Sequence, residues 1–295
     1  MKRHHIFTVI IAFSLSFWYC SESDKPVSKS PERIISLAPS ITETLFALGL
    51  GEKIIGITSY CKYPPQTEQI EKIGGYADAN LERIITLRPD VVVMTSEHEK
   101  QRVYLERFGI NTLVVENHSS AAICSSFSLI GRYCGITDMS DSLVAYFKNK
   151  MEWLEIAGNQ NPPKILICVG RDNPGAGRIG SIFAAGKSTF YNDLIEAAGG
   201  VNAYSLPSPS YPRLSPEGIM SLAPDIIIDI APSMGDYTCS LLVEDWYSLS
   251  RVPAVRKGNV FCLSGDYATI PGPRILLLLD DIREIISDLV VIEER

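Results

Sequence analysis

The run Gly175-Ala-Gly177-Arg-Ile-Gly180 has the GxGxxG spacing with which dinucleotide-binding enzymes cradle a pyrophosphate, and it follows an apolar run. That chemistry needs the first glycine in the turn directly after a strand, with a helix opening beneath it. Here Arg171-Asp-Asn-Pro174 intervene and the next helical pattern begins near Ser188, so the spacing lacks its context. Gly186-Lys187-Ser188 resembles the end of a phosphate loop, but the first glycine would fall on Ser181, one residue out of register with Gly180. These residues read better as the start of a helix. No GxSxG elbow is present for a serine hydrolase. His98 and His118 are the only histidines after the N-terminal segment, so no three-His metal site can be assembled. No catalytic role, intrinsic cofactor or resident metal is assigned.

Two arginines, Arg171 and Arg178, fall in the loop after an apolar run and offer guanidinium partners for an anionic ligand. Arg178 reads as a solvated loop residue and Arg171 as the ligand-binding candidate. Six cysteines follow residue 20: Cys61, Cys124, Cys134, Cys168, Cys239 and Cys262. Their pairing is not readable from sequence. Cys124 and Cys134 share one helical pattern and would stand about 15 Å apart, too far for a disulfide. No Cys/His spacing suggests zinc.

A net charge of −7 with no late basic run excludes general affinity for nucleic acid. Lys2 and Arg3 precede an apolar stretch from Ile6 to Tyr19, too short to span a bilayer, which reads residues 1–20 as a signal peptide. Residues 21–30 read as a flexible tether. Cys20 at the junction is a candidate lipid-bearing residue, although Tyr19 is bulkier than such sites favour. The expectation is an exported monomer, at the outer face of the cytoplasmic membrane or in the periplasm. Its one contact with the membrane would be that anchor.

Short apolar runs alternate with helical patterns along the rest of the chain, which predicts α/β lobes with mostly parallel sheets. Leu143, Phe147, Met151 and Leu154 form an apolar stripe in a longer helical stretch, about 31 Å of helix. This divides the chain into an N-terminal lobe (31–136), a bridging helix (137–160) and a C-terminal lobe (161–295). The segment from Leu81 to Val93 recurs from Pro216 to Ile228 at a constant offset of 135 residues, with Glu, Ile, Leu, Pro and Asp coinciding. So long a period means duplicated lobes. Asn80 and Ser215 are the expected N-caps, which puts Glu82 and Glu217 in the first turns of equivalent helices.

The stretch Arg33-Ile-Ile-Ser-Leu-Ala-Pro-Ser-Ile-Thr-Glu43, then Tyr60-Cys-Lys-Tyr-Pro-Pro65, the repeated Glu-x-Ile-x-x-Leu-x-Pro-Asp, and Gly272-Pro273-Arg274 together resemble the cobalamin and ferric-siderophore periplasmic-binding family. The resemblance covers roughly residues 31–290. It implies two Rossmann-like lobes joined by one long helix, a ligand cleft between them, and limited hinge motion. It also implies an ABC importer, with a permease dimer and its ATPase as partners; Glu82 and Glu217 match the glutamates that dock on the permease. In the cobalamin-binding members the cleft tyrosine falls on Tyr60 and the cleft aspartate on Asp266, with Tyr267 beside it. Cleft tryptophans of those members fall near Tyr76, Tyr211 and Ser96. Aromatic faces suit a corrinoid, heme or a catecholate siderophore alike, so the resemblance implies a large metal chelate as transported ligand. An exported sensor ectodomain, or an exported enzyme with another ligand, is the alternative.

Overall fold

Short runs of Ile and Val form the strands, and the helices that start after Asn80, Ser119, Ser215 and Thr238 are each capped by that side chain. The fold comes from a computed structural model of the chain, which describes residues 30–152, 161–232 and 238–293. The signal peptide, Cys20 and all of the tether except Ser30 lie outside the described residues. The first lobe runs β1 (Ile34–Ser36), α1 (Pro39–Ala47), β2 (Ile54–Ile57), α2 (Leu81–Leu87), β3 (Val91–Thr95), α3 (Glu99–Arg107), β4 (Thr112–Val115), α4 (Ser120–Cys134) and α5 (Thr137–Met151). The second runs β5 (Lys164–Arg171), β6 (Ile182–Ala184), α6 (Phe190–Ala197), β7 (Val201–Asn202), β8 (Arg213–Leu214), α7 (Pro216–Leu222), β9 (Ile226–Ile230), α8 (Cys239–Trp246), α9 (Pro253–Lys257), β10 (Val260–Leu263) and α10 (Ile275–Glu293).

The first sheet has the order β2-β1-β3-β4, every pairing parallel. In the second, β7, β5, β9 and β10 repeat that order in parallel. β6 then pairs antiparallel with the far end of β5, and β8 pairs antiparallel with β6. Parallel sheets bury both faces, which accounts for strands that are apolar throughout. On β3, Val91 and Val93 join one core with Leu45 and Leu113, while Val92 and Met94 join another with Ile84 and Leu105.

The repeated segment is the same local structure twice. Asn80 and Ser215 each accept a hydrogen bond from the backbone three residues on, and Arg88 and Ala223 close the two helices in the left-handed conformation at φ 48°. The purpose of its Pro-Asp pair also emerges. Asp90 accepts the backbone N–H groups of Glu32 and Arg33, and Asp225 that of Lys164, so each aspartate pins the start of its lobe's central strand. Asn111 and Asn259 in turn donate to the carbonyls of Asp90 and Asp225, both at 3.1 Å.

α4 is shared between the lobes. Ile130 and Cys134 belong to the first core, whereas Ile123, Phe127 and, from α5, Phe147 pack with Leu278 and Ile282 of α10 in the second. Close approach of α4 to α5 requires Gly131, because a Cβ there would fall 2.1 Å from the Ser140 hydroxyl oxygen. The bridging stretch expected over 137–160 is helical as far as Met151; Leu154 lies outside the described residues. Phe147 of its predicted stripe is fully buried, with Leu143 and Met151 packed beside it. Cys124 and Cys134 lie on one helix and are unpaired, and a disulfide joins Cys239 on α8 to Cys262 on β10. Among the described residues no helix is long and apolar enough to cross a membrane.

Candidate ligand-binding cleft

Ligands of parallel α/β sheets bind beyond the carboxyl ends of the strands. One cavity obeys that rule in both sheets at once. Its volume is about 620 Å³, and its first-lobe wall comes from the residues that follow β1 (Ala38, Pro39, Ser40), β3 (Glu97) and β4 (Asn117, His118), with Tyr76 from the segment between β2 and α2. From the second lobe come Val169 and Gly170 at the end of β5, Phe183 on β6, Phe190 and Tyr191 on α6, Tyr211, and Thr269 to Pro271. The cleft therefore lies between the lobes, and its second wall is largely aromatic.

Tyr76 is held in place from behind. Its hydroxyl donates to Glu97 Oε2 at 2.7 Å and lies 3.0 Å from Thr95 Oγ1, and its ring meets His98 edge-on at 4.6 Å. Burial, with the neighbouring Glu97 carboxylate, pushes its phenol up to about 12. The buried His98 ring takes the Thr95 N–H on Nδ1 and faces the Tyr76 carbonyl with Nε2, so its own valences are used. Across the cleft, burial and then the charge of Glu97 raise the Tyr211 phenol. Tyr191 is buried and donates to the Ala268 carbonyl.

Of the expected ligand contacts, Tyr76 and Tyr211 line this cavity; Tyr60, Arg171, Asp266 and Tyr267 do not. Arg171 is committed elsewhere. Its side chain is 5% exposed, and it lies 3.2 Å from Asp229, 3.4 Å from Asp245 and donates to the Leu242 carbonyl. Asp245 also accepts the backbone N–H groups of Gly175 and Gly177 at 2.7 and 2.6 Å. The GxGxxG loop is thus an anion nest whose anion is a side chain of the same lobe. Tyr60 is 61% exposed outside the cleft lining. Tyr267 donates to Asp281 at 2.7 Å and packs on the second core, where burial raises its phenol to about 12. Ser96, the third tryptophan-like position, is exposed beside Glu97.

Asp266 belongs to an ion-pair cluster at the junction of the lobes. Arg274 donates Nη1 to Asp266 at 3.0 Å and Nη2 to Glu43 on α1 at 2.5 Å, and its guanidinium stacks 3.9 Å above the Tyr63 ring. The Glu43 side chain is 3% exposed and its Oε2 has no partner. Burial raises the Glu43 carboxyl despite Arg274. Burial alone would lower the Arg274 guanidinium, but its hydrogen bonds to the two carboxylates outweigh this and hold it raised. Gly272 lets the strap before Arg274 reach α1, since a Cβ there would stand 3.2 Å from the Ser40 carbonyl. A second link between lobes runs from Ser120, whose N–H and hydroxyl both donate to Asp193 at 2.7 Å.

Glu97, Asn117, His118, Phe183 and Phe190 were not singled out in the sequence. A signal existed for the first three, which directly follow the strand patterns at Val91 and Thr112 on the ligand-binding side of a parallel sheet. Phe183 sits on a strand too short to be read. No cluster of three or more His, Cys, Asp or Glu suited to a bare metal ion occurs among the described residues.

A vitamin B12-binding protein of Vibrio campbellii is 27% identical over 265 residues, covering 89% of this chain and 92% of that one. An uncharacterized ABC transporter substrate-binding lipoprotein of Bacillus subtilis is 28% identical over 276 residues, 90% of this chain and 82% of that. Among solved structures, a possible iron-binding periplasmic solute-binding protein of Staphylococcus epidermidis superposes with a TM-score of 0.73 at 25% identity, covering 88% and 99% of the two chains. Residues 34–267 match the family model described as periplasmic binding protein, and the two-lobed chain with its interlobe cleft belongs to that family.

Proposed function

We propose that the protein captures a corrinoid outside the cytoplasmic membrane and hands it to the permease of an ABC importer. The observation that carries the choice of cargo is electrostatic. Among the described residues, the lining of this cleft of about 620 Å³ with aromatic walls holds no Lys or Arg, and its acidic group is Glu97. Heme propionates or a catecholate siderophore would bring anionic oxygens into this space without a cationic partner, next to a carboxylate. Burying an unpaired charge costs several kcal/mol, on the order of the whole affinity of a weak ligand. A corrinoid presents neutral amides around a large apolar ring, which aromatic faces and a few polar groups such as Asn117 and Ser40 accommodate. With Arg171 bound up by Asp229 and Asp245, the main argument for an anionic cargo falls away.

Glu82 and Glu217 serve in this reading as the two permease contacts. Both are exposed in the first turn of equivalent helices, so they present the paired acidic points that a two-fold permease surface needs. The Cys239–Cys262 disulfide agrees with an oxidising compartment, and so with export. The test of cargo is titration of the purified protein with cyanocobalamin, hemin and a ferric catecholate, followed by quenching of Tyr and Trp fluorescence. Saturable binding of cyanocobalamin with weaker binding of the two anionic chelates is expected; the reverse order, or no binding of any, overturns the proposal.

A further inference from the structure

Glu97 brings a carboxylate to the lining of the cleft, and the fold holds it there without neutralising it. Its Oε2 accepts the Tyr76 hydroxyl at 2.7 Å, and that hydroxyl is itself set 3.0 Å from Thr95 Oγ1 at the end of β3. Among the described residues Oε1 accepts no hydrogen bond, and no Lys or Arg pairs with the group. The residue is exposed, so water balances its charge until a ligand displaces that water. The other titratable groups of the lining do not offset it. Burial raises the phenols of Tyr76, Tyr191 and Tyr211, which keeps them neutral, and His118 Nδ1 stands 3.7 Å from a second carboxylate, Glu116 Oε2. The Glu97 charge is also felt on the opposite wall, where it adds to the rise of the Tyr211 phenol.

We infer that Glu97 is a specificity-determining residue that sorts cargo by charge: of corrinoids alike in shape, the cleft binds the cationic form most tightly and the anionic form least. A cargo that covers Glu97 strips water from the carboxylate and leaves Tyr76 as its one protein donor, which is costly for an ionised group. A neutral amide N–H of the cargo offsets part of that cost by donating to Oε1. A positive charge offsets more, and a carboxylate adds to it. One unit of cargo charge about 8 Å from Glu97, at an effective dielectric between protein and water, changes affinity on the order of tenfold. This charge preference deepens the corrinoid reading and rests on it. That reading turns on the chelates a cleft without cations rejects; the preference concerns which corrinoid one carboxylate draws in.

The experiment uses a series in which the metal and its axial ligands stay constant. Its members are cyanocobalamin, which is neutral overall; the monocarboxylic acid made by hydrolysing one of its side-chain amides; the aminoethylamide of that acid, which carries one ammonium; and the propylamide, a neutral control for added bulk. Affinities are read from quenching of Tyr and Trp fluorescence at low and high salt. The wild type should bind the aminoethylamide about tenfold more tightly than the propylamide, and the acid about tenfold less tightly than cyanocobalamin, with both gaps narrowing at high salt. Glu97→Gln keeps an acceptor for the Tyr76 hydroxyl and removes the charge, so it should close both gaps while still binding cyanocobalamin; Glu97→Ala is a second charge-free variant. Equal affinities across the wild-type series, or gaps that survive in both variants, overturn the inference and leave the corrinoid reading standing. Variants that melt like the wild type yet no longer bind cyanocobalamin would make Glu97 a support for Tyr76 and overturn it too. If the wild type binds no member of the series, the inference falls together with the reading beneath it.

Discussion

Arg274→Met should destabilise the protein far more than loss of a surface ion pair would. The substitution keeps most of the side-chain volume and removes the charge, leaving Glu43 3% exposed with Oε2 already unpartnered and Oε1 now without its donor. Stranding one member of a buried pair costs about 3–5 kcal/mol, because the remaining charge stays desolvated without compensation. The other arm matters less. Asp266 is 43% exposed and can return to water. The stacking on Tyr63 contributes about 1 kcal/mol at most. A loss of about 3 kcal/mol is therefore expected, lowering Tm by roughly 6–12 °C for a protein of this size.

The deficit should also depend on pH, with a definite sign. Burial raises the Glu43 carboxyl above its ordinary value of 4.5, and Arg274 partly opposes the rise. A raised carboxyl contributes stability that is fully present below about 4.5 and is lost as pH climbs through the folded-state value. Without Arg274 the opposition is gone and the rise is larger. The variant should thus fall further behind the wild type at pH 8 than at pH 5, since lowering the pH favours the protonated Glu43. Thermal melts at both pH values measure this. The double variant Glu43→Gln with Arg274→Met should regain most of the loss at pH 8, since no buried charge remains. A deficit under about 1 kcal/mol at pH 8, or a double variant no better than Arg274→Met alone, would refute the reasoning.

Two further outcomes follow from other parts of the chain. Glu82→Arg combined with Glu217→Arg should abolish uptake of the cargo in cells while leaving its affinity for the purified protein unchanged; a fall in affinity would show that these residues belong to the cleft. Replacing Cys239 and Cys262 with Ser removes a cross-link across 23 residues and should cost about 3 kcal/mol of unfolding free energy in urea titration. A cost near zero would mean the α8–β10 junction is held without it.

Local, repetitive features were legible in the sequence, and features made by long-range contact were not. The helices at Leu81–Leu87 and Pro216–Leu222 fall in the repeated segments, and the strands at Thr112–Val115, Ile226–Ile230 and Val260–Leu263 are short apolar runs. Each carries its own apolar period and its own stop signal. β6, β7 and β8 are two or three residues long, below the length at which alternation can be recognised. Arg171 was misplaced for a different reason. An arginine after a strand reads the same whether it meets a ligand or carboxylates 58 and 74 residues on, at Asp229 and Asp245. Likewise Glu43 and Arg274 both stood in the motifs that carried the family resemblance. Only the fold shows that they bond to each other across 231 residues.

The duplication and the departures from it divide the work of the molecule. The strand order β2-β1-β3-β4 returns as β7-β5-β9-β10, with the same helix caps and the same strand-pinning aspartates. A partner with two-fold symmetry needs such equivalence, and the exposed Glu82 and Glu217 sit inside the repeated unit. A ligand without that symmetry needs the two walls of the cleft to differ. The difference comes from segments with no counterpart in the first lobe: β6 brings Phe183, and the loop before β8 brings Tyr211. The first wall answers with Tyr76 and, at its strand ends, the polar set Glu97, Asn117 and His118. An asymmetric cargo, stacked mainly on one side and met by more polar groups on the other, is what such a cleft can orient. Substitutions in the inserted segments should therefore alter which chelate binds, while substitutions in the repeated segments should alter delivery.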